Sequence, residues 1–105
     1  MGSYRNRLEI IAEILHVVNE GSVKKTQIMY QANLSYKLLT KYLAEVIEAF
    51  LVRFERTKQC YVLTSKGKEF LEMYKEYSRG NKRIEERLND LHNKRKVLEE
   101  LCSNG

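Results

Sequence analysis

The feature that most confines this chain is a double heptad series in its last third. Phe70, Tyr77, Ile84, Leu91 and Leu98 recur every seven residues, and Tyr74, Asn81, Leu88, Arg95 and Cys102 form a second series four residues behind. Interleaved four and three apart, these are the d and a positions of a coiled coil, because seven residues come close to two helical turns and keep one stripe facing a partner. Thr64 is placed to cap that helix, which is expected from Ser65 to about Cys102, 38 residues long and about 57 Å at 1.5 Å per residue. Gly80 opposes an unbroken helix, since glycine in a helix interior costs about 1 kcal/mol relative to alanine. A bend or break between Arg79 and Asn81 is the alternative.

Phe70 to Tyr77 is expected to pack on the preceding residues, whereas the distal apolar positions need another partner, most simply a second copy of the chain. The expected dimer interface is Ile84, Leu88, Leu91, Arg95, Leu98, Leu101 and Cys102. Glu85 and Glu99 at e positions and Arg87 and Lys94 at g would attract in a parallel pair, but that pair stacks Arg95 on Arg95. Exposed ion pairs are worth only about 0–1 kcal/mol and desolvating like charges costs more, which favours the antiparallel arrangement.

The residues before the long helix have room for one small folding unit, and the absence of proline with 43% hydrophobic residues suits helix. Tyr4 to Asn19 carries Leu8, Ile11, Leu15 and Val18 on one stripe, with Ile14 beside it, and Gly21 closes this first helix. His16 beside the stripe reads as an ordinary packed or surface histidine; Arg5 and Arg7 give the helix start a basic character. Ser22 is placed to cap a second helix from about Val23 to Ala32, with Ile28 and Ala32 inward. Asn33 suits the left-handed residue that ends it, Leu34 belongs to the core, and Ser35 caps a third helix from Tyr36 to about Phe50. That helix puts Leu39, Leu43, Val46 and Phe50 on one face, flanked by Tyr42 and Ile47, and Tyr36, Lys37, Thr40, Lys41 and Ala44 on the other.

A short helix, a tight turn and a longer capped helix make a helix-turn-helix. Between Glu20 and Glu45 there is no Asp or Glu, while Lys24, Lys25, Lys37 and Lys41 all occur. Ordinary acid content would place about three acids there. With a net charge of +5, the bias suits a polyanion. A helix in the major groove reads base edges from its N-terminal residues, which makes Ser35, Tyr36, Lys37, Thr40 and Lys41 the candidates within a recognition helix over 35–48. Lys24, Lys25 and Gln27 would hold the backbone. The bland alternative is a solvated helix face.

LVRFER, Leu51 to Arg56, and CYVL, Cys60 to Leu63, are rich in β-formers around a polar turn at Thr57, Lys58 and Gln59. A hairpin directly after a helix-turn-helix is a wing. Arg53, Arg56 and Lys58 give the wing over 53–60 the charge to lie on the phosphate backbone or in a minor groove.

Two motifs now carry a resemblance: Thr26 to Tyr36, T-x-I-M-Y-x-A-N-L-S-Y, and Tyr61 to Gly67, Y-x-L-T-x-K-G. Across roughly Leu8 to Tyr77 the chain resembles the small archaeal winged-helix DNA-binding proteins, in particular the Sulfolobus ten-kilodalton chromatin-associated family. That resemblance implies a winged helix-turn-helix over 4–77, a distal coiled-coil segment over 78–102 and antiparallel dimerisation. The family often has glycine where Ala49 or Phe50 stands, a departure that bears on the end of the third helix.

The fold class expected is therefore mainly α with a small β-hairpin (α+β), a winged helix-turn-helix followed by a long coiled-coil helix. No nucleophile elbow, phosphate loop, Cys and His pairing or carboxylate pair points to an enzyme, and neither a cofactor nor a metal is expected. Cys60 and Cys102 make no disulfide framework, no segment reads as a membrane span or signal peptide, and a soluble cytoplasmic, nucleoid-associated protein is expected. The primary expectation is a homodimer on double-stranded DNA, as a chromatin-type architectural protein or a transcriptional regulator. The alternative is a protein-interaction scaffold whose winged helix docks on protein without binding DNA.

Overall fold

Asn6 begins the first helix, its side-chain oxygen accepting from the Glu9 amide at 2.8 Å. In the computed structural model, which describes residues 5–103, the elements in order are α1 (Arg7–Asn19), α2 (Lys25–Gln31), α3 (Tyr36–Glu48), β1 (Val52–Glu55), β2 (Cys60–Leu63) and α4 (Ser65–Leu101). The expected start of α1 at Tyr4 lies outside the described residues. α1 is buried on more than one stripe, at Ile10, Ile11, Ala12, Ile14, Leu15, Val17 and Val18, because α2, α3 and β2 all touch it. Leu8, expected on the inward stripe, is instead 39% exposed in the first turn. His16 is exposed.

Ser22 caps nothing. Val23 exchanges two backbone hydrogen bonds with Tyr61, donating at 3.3 Å and accepting at 2.7 Å, and this pairing holds the chain extended where a helix was expected. α2 starts two residues later than expected, with the Gln27 side-chain oxygen accepting from the Lys24 amide at 3.0 Å. Gln27 thereby satisfies one of the amides that a helix start leaves without an intrahelical partner.

The two helices of the helix-turn-helix end in the same way. At the end of α2, Asn33 has φ +52°, its amide donates to Tyr30 and the Leu34 amide reaches back to Met29. At the end of α3, Phe50 has φ +62°, its amide donates to Ile47 and the Leu51 amide reaches back to Val46. Both are the paired closure that uses a left-handed residue just past the helix. Asn33 fills that position as its side chain predicts. Phe50 fills it where glycine is the usual choice, and the chain turns there, so Phe50 is 74% exposed and not on the buried face. α3 thus ends at Glu48, two residues earlier than expected.

β1 and β2 pair antiparallel from Val52 with Leu63 to Glu55 with Cys60, leaving residues 56–59 as the turn. The core beneath them joins Ile14, Leu15, Ile28, Leu39, Val46 and Val52, with Phe70 and Leu71 of α4 partly buried against it.

The motif Y-x-L-T-x-K-G acquires its physical meaning at the end of α3. The Thr64 hydroxyl donates to the Phe50 carbonyl at 2.6 Å and accepts from the Gly67 amide at 3.0 Å, which caps α4. Lys66 Nζ donates to the Ala49 carbonyl at 2.8 Å, a cation at the negative end of α3. Gly67 lies so near the Leu51 carbonyl oxygen that a Cβ there would stand 2.2 Å from it. The carbonyls of Ala49, Phe50 and Leu51 are thus held by Lys66 and Thr64, the Leu51 carbonyl accepting from the Thr64 amide at 3.1 Å. α4 runs unbroken through Gly80. By packing, the described residues divide into two compact units between Tyr74 and Lys75.

Candidate nucleic-acid interface

The candidate surface is built on α3, whose start is fixed by Ser35 Oγ accepting from the Leu38 amide at 3.2 Å. Leu39, Tyr42, Leu43 and Val46 are buried and so set the rotation of the helix. Tyr36, Lys37, Thr40, Lys41 and Ala44 consequently face outward and are exposed. The Thr40 hydroxyl donates to the Tyr36 carbonyl at 2.8 Å, which leaves its oxygen as an acceptor toward a partner. Lys41 Nζ lies 5.2 Å from the Tyr42 ring.

α2 contributes beside it. Lys25 Nζ sits 4.3 Å from the centre of the Tyr36 ring, a cation–π contact that ties the two helices across the turn. Lys24 is exposed, and Gln27 already uses its oxygen in the cap, so only its amide NH₂ remains to donate outward. Tyr30, absent from the residues expected to bind, is 79% exposed on the same short helix. Its signal lay in the pattern: Tyr30 falls at neither of the inward positions Ile28 and Ala32, yet no solvation requirement calls for an aromatic ring there.

On the hairpin, Arg53, Arg56 and Lys58 are all exposed, with Lys58 in the turn. The Gln59 side chain donates to the Arg56 carbonyl at 3.0 Å and closes that turn around its own left-handed φ of +54°. Phe54 and Tyr61, directly opposite across the hairpin, have ring centres 4.9 Å apart.

Charge pairing separates the cations of this unit into two sets. Arg5 pairs with Glu13 and donates to the Ala32 and Asn33 carbonyls at 2.7 and 2.8 Å, and Arg7 pairs with Glu45. Those two arginines are occupied in holding the end of α2 and the middle of α3. Lys24, Lys25, Lys37, Lys41, Arg53, Arg56 and Lys58 have no ion pair among the described residues. Glu45, the acid that ends the acid-free window, is moreover neutralised by Arg7.

In the second unit, Ile84, Leu88, Leu91, Leu98 and Leu101 are exposed along α4. Arg95 Nε donates to Glu99 at 3.2 Å within the same helix, and Cys102 is exposed just past its end. No helix among the described residues is long and apolar enough to cross a membrane.

Comparison with known proteins agrees with this architecture. The chain is 38% identical to the uncharacterized protein MJ0287 of Methanocaldococcus jannaschii over 65 residues, 62% of this chain and 65% of that protein. It is 39% identical to MJ0290, another uncharacterized protein of that organism, over 75 residues, 71% of this chain and 35% of the relative. These matches span somewhat under two thirds and about one third of the relatives' own lengths. Among solved structures, Sso10a-2, a DNA-binding protein from Sulfolobus solfataricus, superimposes with a TM-score of 0.66 at 26% identity, covering 95% of this chain and 100% of that one. A winged helix-turn-helix family model matches residues 4–82, and with this match over about three quarters of its length the chain belongs to the winged helix-turn-helix family, beside archaeal relatives.

Proposed function

We propose that the protein binds double-stranded DNA, with the recognition helix over 35–48 in the major groove and the wing over 53–60 on the backbone or in a minor groove. The observation that carries this is the set of cations at α2, on α3 and on the hairpin, exposed but for the half-buried Lys25, that have no ion pair with an acid among the described residues. Cations without an acid beside them keep their charge available to attract phosphates. The solved neighbour described as a DNA-binding protein supports the same reading. In a gel-shift titration, random duplex DNA is expected to bind at low salt and to lose affinity steeply as salt rises. Absence of binding at low salt would turn the reading toward a protein-docking scaffold.

The functional form is a homodimer joined through an antiparallel coiled coil of the distal part of α4. Supporting it are five large apolar side chains of one face, Ile84 to Leu101, left in water by a single chain. Soluble monomers rarely expose contiguous apolar surface on that scale. A chain ending at Tyr77 is expected to sediment as a monomer while the full chain sediments as a dimer; a dimeric shortened chain places the interface elsewhere. Two DNA-binding units on one coil suit a chromatin-type architectural protein or a transcriptional regulator within the nucleoid. Binding-site selection separates the two, since an architectural protein returns no strong consensus.

A further inference from the structure

We infer that α4 carries a second phosphate-binding surface at Lys75, Arg79, Lys82 and Arg83; this rests on the reading of the protein as a DNA binder. These residues stand three and four apart and therefore share one face of the helix. That face lies opposite the seam of Tyr77, Asn81, Ile84 and Leu88, so a partner on the seam leaves it open. All four cations are exposed and none has an ion pair among the described residues. Glu76 borders the group and Glu86 closes it.

The contrast with the rest of the helix gives the group its meaning. Farther along, Lys94 pairs with Asp90 at 3.3 Å and Arg95 with Glu99 at 3.2 Å, each within one turn. The outward positions there hold Glu86, Asp90 and Glu100 against Lys96. The helix thus pairs two of its four distal cations, Lys94 and Arg95, within one turn, and among the described residues it pairs none over Lys75 to Arg83. Like charges four apart, as in Lys75 with Arg79 and Arg79 with Arg83, weaken a helix, and Gly80 weakens the same turn further. An anion laid along this face removes the repulsion. The four cations span about 12 Å of helix, the axial rise of three to four phosphates on one strand.

The test is the salt dependence of duplex DNA binding by the full chain and by the quadruple variant Lys75→Gln, Arg79→Gln, Lys82→Gln, Arg83→Gln. Every phosphate that the variant no longer neutralises takes about 0.9 from the log–log slope, so for three to four phosphates a flattening of about 2.7 to 3.6 is expected. Lys94→Gln with Lys96→Gln, farther along the same helix, is expected to leave the slope unchanged. Glutamine is a good helix former, and circular dichroism is expected to show undiminished helix in the quadruple variant. Should it unfold, Arg79→Gln with Arg83→Gln carries the same test at about half the flattening. A slope within about 0.9 of wild type, or equal flattening in the control, overturns the inference. A wild-type chain that leaves duplex DNA unbound at low salt overturns DNA binding altogether; binding with an unaltered variant slope overturns this surface alone.

Discussion

Replacing Lys37 and Lys41 together by alanine is expected to weaken duplex DNA binding about sixty-fold at 0.1 M salt and to flatten the salt dependence by about 1.8 in log–log slope. The two residues lie one turn apart on the outward face of α3, exposed and without ion pairs among the described residues. Each neutralised phosphate contributes about 0.9 to the slope, which at 0.1 M amounts to nearly a factor of ten in affinity. Stability should scarcely move, because surface substitutions away from structural contacts stay within about 0.5 kcal/mol. Among the described residues the interaction removed is the 5.2 Å approach of Lys41 to the Tyr42 ring. Fluorescence titration at several salt concentrations reads both quantities. Weakened binding with an unaltered slope reassigns the lysines from phosphates to base edges; no change in either removes α3 from the interface.

The second large effect is on stability. Gly67→Ala is expected to destabilise the first unit by about 2 kcal/mol, the penalty of overpacking less the helix propensity that alanine gains. The added methyl would stand 2.2 Å from the Leu51 carbonyl oxygen and 2.5 Å from a Leu63 methyl. A rotating side chain can yield, but the carbonyl belongs to the turn that closes α3 and accepts from the Thr64 amide at 3.1 Å. Denaturant unfolding followed by circular dichroism checks the prediction through its midpoint. The same change at Gly80, around which nothing lies within 4 Å, is expected to stabilise the helix by about 1 kcal/mol. Equal midpoints for the two variants would show that the approach of α4 to Leu51 is not tight.

Which parts of this architecture could be read from the chain follows from the range of the interactions that create them. The heptad series repeats its information over ten positions, so α4 is legible despite Gly80. Asn33 acts through its own left-handed φ and Ser35 on an amide three residues on, and the turn before α3 is legible for that reason. The exposure of Lys37, Thr40 and Lys41 follows from the apolar phase of the same helix. Val23 misled because its extended form is imposed by Tyr61, far along the chain, while Ser22 offers a plausible local cap. Phe50 misled because the helical spacing that aims it inward ceases at Glu48. Lys25 on the Tyr36 ring, the hold of Thr64 and Lys66 on the end of α3, and the close approach of Gly67 to Leu51 depend on elements meeting in space. No local pattern announces such meetings.

The bridge between Val23 and Tyr61 bears on the entropy of binding. Val23 directly precedes Lys24 and Lys25, and Tyr61 lies in the second strand one residue pair from the pair that borders the turn, so two backbone hydrogen bonds fix the hairpin near its turn to the residues just before α2. A wing anchored only at its ends would have to be immobilised when it meets a ligand, at about 0.5–1.5 kcal/mol for each rotamer-rich side chain in addition to its backbone. Here the backbone share of that ordering is completed during folding, and the wing meets a ligand preorganised.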